Sequence, residues 1–338
     1  MVDAKEALVA MRSFLLCFLT IVLSESCLIA LDFNSTKNRR VMVVAGAGGE
    51  EEYTSLFSEW AGALTNAFQV NAAELVKINN NPENTDARKI IESKLKQWVA
   101  AKDGEIWILL VGHGTFDGKQ AKFNLVGNDV SDLDFQSWLK THQGPLVFIN
   151  TSSSSAPFIR TLSRANRVIA TATKSGYEQN FCRFGGYISA ALEQKKADLD
   201  KDGAVSVLEA FLIASRKVEE YYRENDRLVS ESALLDDNGD GRGTPANWFS
   251  GVRINKESQE KRGADGKISR LVFPVVPLKE KGISESFRKK RTQIENKIET
   301  LRSLKKTLDV DIYYRDLEKL FLELSKLNNE NEDSKNPK

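Results

Sequence analysis

Basic and acidic side chains nearly cancel over 338 residues, to a formal net charge of +1, so no overall field draws the chain to nucleic acid or to an anionic membrane surface. Apolar residues make up 41%, enough for one α/β domain with an appendage or for two modest domains. The three cysteines do not make a disulfide framework, because Cys17 and Cys27 fall in or beside an N-terminal leader and leave Cys182 alone in the body of the chain.

In chain order the leader comes first. Lys5 and Arg12 precede the apolar run Phe14 to Leu23, and Ser24-Glu25-Ser26 follows, which is the layout of a secretory signal peptide over residues 1–26, with Met11 as an alternative start. An anchor continuing through Leu31 would carry Glu25 inside a span that barely reaches about 20 residues. Export with cleavage is therefore the expectation, leaving no membrane span in the mature chain and an extracytoplasmic location. Cys27 as the lipidated first residue of a lipoprotein is the alternative, and Asn34-Ser35-Thr36 is a glycosylation sequon in a eukaryotic host.

From residue 40 short β-branched runs alternate with helical ones, as a parallel sheet with crossover helices requires. Val41 to Ala45, Ile106 to Val111, Leu146 to Ile149 and Val168 to Ala172 read as buried strands, with a weaker one near Ala73 to Ile78. Tyr53 to Phe68, Asp86 to Ala101 and Phe158 to Ser163 carry helical spacing. This core is expected over residues 40–185. Open α/β sheets put their chemistry at the carboxyl ends of the strands, which is where Gly46 to Gly49, His113 and Thr151 to Ser155 fall.

Residues 186–250 carry the sharpest motif. Asp198, Asp200, Asp202, Ala204, Ser206 and Glu209 place oxygen donors where a twelve-residue EF-hand calcium loop needs them, and Gly203 allows its sharp turn. Asp198, Asp200 and Asp202 would converge on one hard cation, Ala204 would offer its carbonyl, Ser206 would act through water and Glu209 would close the sphere with both oxygens. Apolar helical patterns flank the loop on both sides, as an EF-hand requires. A second run, Asp236, Asn238, Asp240 and Arg242, repeats the first half of the spacing but has Asn247 at the closing position, so it is either a weaker second site or an Asp/Asn/Gly turn.

A closing strand near Leu271 to Val276 is expected within residues 251–280. Phe287, Ile294, Leu301 and Leu308 then repeat every seven residues, with Leu317 to Leu327 in a shifted phase, so residues 281–327 read as a helical hairpin or coiled coil, with self-association of these helices as an expected partner contact. Residues 328–338 read as a disordered tail. Arg288 to Arg291 read as the solvated face of a helix. His142, in the polar loop Thr141 to Gly144, is expected at the surface, and Cys182, without an adjacent base, is expected to be buried. Gly46-Ala47-Gly48-Gly49 lacks the Lys-Ser/Thr of a phosphate loop.

Gly112-His113-Gly114 after one strand and Asn150-Thr151-Ser152-Ser153 after the next resemble the caspase and legumain peptidases, in which a His-Gly follows one strand and the nucleophilic cysteine follows the next. Val44-Ala45-Gly46 and Thr171-Ala172-Thr173 are also similar to legumain. The resemblance spans roughly residues 40–250 and implies a caspase/legumain-like three-layer α/β sandwich around a mainly parallel sheet. It further implies that His113 is the acid-base and that Ser152 stands where the cysteine should be. A hydroxyl needs a coupled base where a thiol does not. Gly48 falls where legumain has an asparagine that orients the histidine, and Asn150 and Thr54 fall where its charged substrate-pocket residues would be. Two functions stay open: a degenerate peptidase acting as a module that binds a peptide or protein partner, and a serine hydrolase using His113 and Ser152, with Asp117 orienting the histidine. The Ser152 to Ser155 run also reads simply as a flexible turn.

Overall fold

The computed structural model describes residues 38–79, 86–193, 197–255, 265–272, 285–305 and 307–335. The expected leader, with Met11, Cys17, Cys27 and the sequon at Asn34, lies outside the described residues, as does most of the expected closing strand.

Five strands form the parallel body of the sheet: β1 (Arg39–Ala45), β2 (Glu74–Ile78), β3 (Glu105–Val111), β7 (Leu146–Asn150) and β8 (Arg167–Thr171). Two short strands, β9 (Leu234–Asp236) and β10 (Thr244–Pro245), add antiparallel at one edge, giving the order β10-β9-β8-β7-β3-β1-β2. Continuous apolar runs such as EIWILLV in β3 are buried on both faces, because helices cover the sheet above and below. Alternate residues serve opposite cores. Val41, Val43, Trp107, Leu109, Val147 and Ile149 face one, while Met42, Val44, Ile106, Ile108, Leu110 and Phe148 face the other.

The first core is roofed by helices α1 (Glu51–Phe68), α5 (Phe184–Glu193) and α6 (Val207–Glu224). In α1 the apolar spacing Phe57, Ala61, Leu64 and Phe68 forms a single buried stripe. The second core is roofed by α2 (Ala87–Ala100), α3 (Asp132–Trp138) and α4 (Pro157–Leu162). The result is a three-layer α/β sandwich. The order of β2, β1 and β3 also fixes a topological switch. The chain leaves β1 towards β2 on one side and returns to β3 on the other, the point at whose carboxyl ends open α/β sheets place their binding crevice, here beside Gly46 and His113.

Three local features depart from the sequence reading. A small antiparallel sheet, β4 (Gly114–Phe116), β5 (Ala121–Phe123) and β6 (Val130–Ser131), follows His113, with strands too short to leave a periodic signal. His142 is buried, not exposed, with Nε2 3.2 Å from the Pro145 carbonyl. Its polar loop folds under the sheet, where the buried Arg167 guanidinium donates to the Leu139 and Leu162 carbonyls. Where the closing strand was expected to begin, Ser269–Leu271 is a 3₁₀ turn.

A separate compact unit holds α7 (Glu285–Ser303) and α8 (Val310–Lys335), which pack against each other as a hairpin. Phe287, Ile294, Ile298, Leu301 and Tyr313 are its buried residues. Helix α8 continues to Lys335, through residues expected to be a disordered tail, because Asn328 to Lys335 contain no proline or glycine to stop it. Among the described residues no helix is long and apolar enough to cross a membrane.

A fully buried ion pair holds the base of the sheet. Arg39 and Glu105 open the adjacent strands β1 and β3, with side chains at 0% exposure and a closest approach of 3.2 Å. The guanidinium also lies over the Trp107 ring, and the Trp107 indole N–H donates to Glu105. Removing one charge strands the other in a dry site. Glu105→Ala is expected to cost about 3–5 kcal/mol of unfolding free energy in a urea titration, whereas the double replacement Arg39→Met/Glu105→Leu should recover most of that loss.

Candidate functional site

Two regions bring together the side chains singled out in the sequence. At the carboxyl end of β3, His113 is half-buried among the rings of Tyr53, Phe57 and Phe181, whose centroids lie 5.0, 5.0 and 6.0 Å from its own. Its imidazole is hydrogen-bonded to the Gly48 backbone carbonyl. A Cβ at Gly48 would come within 2.4 Å of the Thr54 nitrogen, so the loop can approach this closely only as glycine. Thus a main-chain oxygen orients the histidine at the position where the resemblance led to an asparagine side chain. Asp117 does not orient it. That carboxylate accepts the Lys119 and Gln120 N–H groups at the tip of the β4–β5 turn.

The serine run after β7 is rigid and buried. Ser152 is at 0% exposure, and its hydroxyl donates to Asn150 Oδ1 over 2.7 Å, while the same oxygen accepts the Ser152 N–H. Ser153 Oγ bonds both the N–H and the carbonyl of Gly114. Ser155 Oγ accepts the Ala172 and Thr173 amides. The Ser153 and Ser155 hydroxyls tie the run to neighbouring segments, Ser152 Oγ bonds back to Asn150 in β7, and Ser154 Oγ is buried without a partner, so the run is a set of clamps and not a flexible turn. Among the described residues no hydrogen bond joins His113 to Ser152. Asn150 carries an amide, which is not a base, and its Nδ2 is buried without a partner. Cys182 is buried 2 residues after Asn180, with its thiol pushed well above the ordinary range by burial first and then by Glu231 and Glu178.

The second region is the loop after α5. Asp198, Asp200 and Asp202 each bring a carboxylate oxygen to within 4.8 Å of the others. Main-chain donors shape the turn: Asp198 accepts the Asp202 and Gly203 amides, Asp200 accepts that of Asp202, and Asp202 accepts that of Ala204. Lys201 and Gly203 take positive φ values of 60° and 88°. Glu209 closes the loop from the first turn of α6. Its Oε1 accepts the Leu199 and Asp200 amides at 2.6 and 3.1 Å, and its Oε2 accepts the Ser206 amide and hydroxyl in a capping box. Burial first, and then the charges of Asp200, Glu209 and Asp198, pushes the Asp202 carboxyl up to about 7. That is the behaviour of acids gathered without a counter-charge.

The second acidic run repeats this pattern. Asp236 accepts the Gly239 and Gly241 amides, Asn238 that of Asp240, and Asp240 that of Arg242. Gly239 and Gly241 have φ of 77° and 76°, at the places occupied by Lys201 and Gly203 in the first loop. Asn247 does not close it; it sits in a 3₁₀ turn, Ala246–Trp248. Asp265 takes that place instead. Its Oδ1 accepts the Asp237 and Asn238 amides at 2.9 and 3.1 Å, and its Oδ2 accepts the Thr244 hydroxyl, one for one as Glu209 accepts Leu199, Asp200 and Ser206. The sequence reading missed Asp265 because it lies far outside the twelve-residue window. The second turn is flanked by β9 and β10, so it is not a helix–loop–helix.

No family model matches this chain, and no curated protein matches it. Among solved structures it is similar to the Drosophila initiator caspase Dronc, at 12% identity over 62% of this chain and 84% of that one, with a TM-score of 0.41. It is similar to caspase-1 from Spodoptera frugiperda, at 10% identity over 62% and 90%, with a TM-score of 0.44. The pro form described as pro-sf-caspase-1 aligns at 10% identity over 59% and 90%, with a TM-score of 0.39. Likeness at this level carries nothing about chemistry.

The chain has 2 histidines, and burial lowers both imidazoles below the ordinary 6.5 against the pull of the Gly48 and Pro145 carbonyls. A folded imidazole that holds its proton less firmly than the unfolded one stabilises the fold fully above about 6.5, and that contribution is lost as pH falls below it. Histidine-selective NMR on the folded protein should therefore show two titrations below 6.5, and unfolding midpoints should drop as the solution is acidified from 7 to 5. A titration of either ring at or above 6.5 contradicts the burial argument.

Proposed function

We propose that this chain is an exported calcium-binding protein whose caspase/legumain-like domain is a degenerate peptidase serving as a module that binds a peptide or protein partner. The observation that carries the reading is the doubled carboxylate turn. In each, side-chain oxygens at alternating positions accept the amides that shape the turn, a glycine turns the chain, and a distant carboxylate closes it on the second and third amides; in the first loop the three aspartates also bring carboxylate oxygens within 4.8 Å of one another. A hard divalent cation with six to eight oxygen ligands suits that donor set. The first site is Asp198, Asp200, Asp202, the Ala204 carbonyl, Ser206 and Glu209. The second is Asp236, Asn238, Asp240 and the Arg242 carbonyl, completed by Asp265. Calcium outside the cytoplasm is abundant, so sites of moderate affinity would stay loaded and act as structural clips rather than sensors.

The degenerate reading is supported by the engagement of Ser152 Oγ with Asn150 and its burial at 0%. An alkoxide nucleophile needs a base in hydrogen-bond contact. The alternative, a serine hydrolase, is favoured by the placement of His113 and Ser152 after adjacent parallel strands.

Calcium should raise the melting temperature with concentration according to mass action, about 2.7 kcal/mol at a hundredfold excess over Kd, and titration calorimetry should count two ions. Glu209→Gln and Asp265→Asn should each remove one. An Asp265→Asn variant that still binds two ions excludes Asp265 as a ligand, and a melt indifferent to chelator excludes the calcium reading altogether.

For the crevice, a fluorophosphonate probe is expected to leave Ser152 unlabelled. Labelling that disappears in a folded His113→Ala variant would instead establish the hydrolase.

A further inference from the structure

One segment touches both carboxylate turns. Residues Asp265 to Val272 run from the second turn to the first, and hydrogen bonds hold them at each end. At the first loop, the Val272 carbonyl accepts the Val207 N–H over 2.9 Å. Val207 is the first residue of α6, directly after the Ser206 cap and within the same turn as Glu209. At the second turn, the fully buried Asp237 carboxylate accepts the Gly266, Ile268 and Ser269 amides and the Ser269 hydroxyl, at 2.8 to 3.0 Å. Asp265 returns the contact through the Asp237 and Asn238 amides.

Neither attachment can slide. Val272 and Ser269 are at 0% exposure, and an interior packed at crystal density has discrete arrangements rather than a continuum. Releasing the Asp237 end would leave a buried carboxylate without its donors, a state far costlier than the bonds it replaces. The exit of the first loop and the second turn are therefore joined through one short strap.

We propose that this strap couples the two turns, so that a cation seated in the first loop orders the second turn and the edge strands β9 and β10 on either side of it. The coupling rests on the calcium reading above, and it is a separate claim, since two turns can both bind calcium and remain independent. Mechanically, a cation that draws Glu209 onto the loop fixes Ser206 and Val207, which fixes Val272. The 3₁₀ turn Ser269–Leu271 then holds the donors of Asp237 in place.

Amide hydrogen exchange followed by mass spectrometry tests this on the full mature chain with calcium chloride as the probe. Asp240→Asn removes a second-turn charge while keeping the oxygen that accepts the Arg242 amide, so that calcium acts through the first loop. In that variant calcium should slow exchange about tenfold in residues 198–209, and also in 265–272 and 236–242. Adding Ser269→Ala should weaken the response of 236–242 and leave that of 198–209 intact.

If 198–209 respond and 236–242 do not, the coupling is refuted while the calcium reading stands. A response of 236–242 that persists in Glu209→Gln/Asp240→Asn means that the turn binds calcium by itself, and the strap route is refuted. No calcium response anywhere in the wild-type chain refutes both.

Discussion

A carboxylate taken out of water has to be met by donors, by a cation or by a proton, and seven acidic residues are buried among the described residues of the part of the chain that carries the sheet. The way each is met organises the structure around it. Glu105 is met by a guanidinium at the base of the sheet. Glu231 is met by the Arg183 and Phe184 amides that open α5 and by the Tyr222 hydroxyl. Asp237 is met by three amides and a hydroxyl. Glu209 and Asp265 differ, because each lies beside other acids, Asp200 for the first and Asp237 and Asp236 for the second. Backbone donors settle part of that charge, and under the proposed calcium reading a divalent ion would neutralise the rest.

The crevice at the sheet's switch point follows the same accounting with neutral groups. Four serines in succession would be costly so deep in the fold, and three of them are satisfied by Asn150, Gly114 and the Ala172–Thr173 amides. Ser152 is thereby used as a structural hydroxyl. The histidine opposite is oriented by a backbone carbonyl that only a glycine at position 48 permits. Both arrangements hold the two chemical groups in good order without a hydrogen bond between them, the geometry on which the proposed binding role rests.

How much of this could be read from the residues depended on whether a contact was local. The buried strands, their helices and the loop from Asp198 to Glu209 were legible, because apolar runs and a twelve-residue ligand spacing are properties of contiguous sequence. Asp265 was not legible, since it reaches the second turn only after the chain has left the sheet and come back, 28 residues beyond Asp237. His142 was read as exposed because its neighbours are polar, yet the Leu139 carbonyl that accepts its amide also accepts from Arg167, 28 residues from Leu139 at the start of a strand. The serine run misled for a related reason. Its flexibility was inferred from composition, while its partners lie on β4 and just past β8.

The first carboxylate loop also bears on the His113 end of the sheet, through the helices it joins. Helix α5 starts at Phe184, directly after Phe181 to Arg183, and the Phe181 ring touches His113 while the Arg183 guanidinium stacks over Phe181 and Tyr221. Ten residues of helix, about 15 Å, separate this wall from the loop at the other end of α5. Helix α6 packs back along α5 and supplies Tyr221 and Tyr222 to the same wall. On the proposed calcium reading, a cation clipping the far end of the pair would limit how the near end can splay. The aromatic wall beside His113 keeps its shape because two helices are held at both ends, by Glu231 at one and by the carboxylate loop at the other.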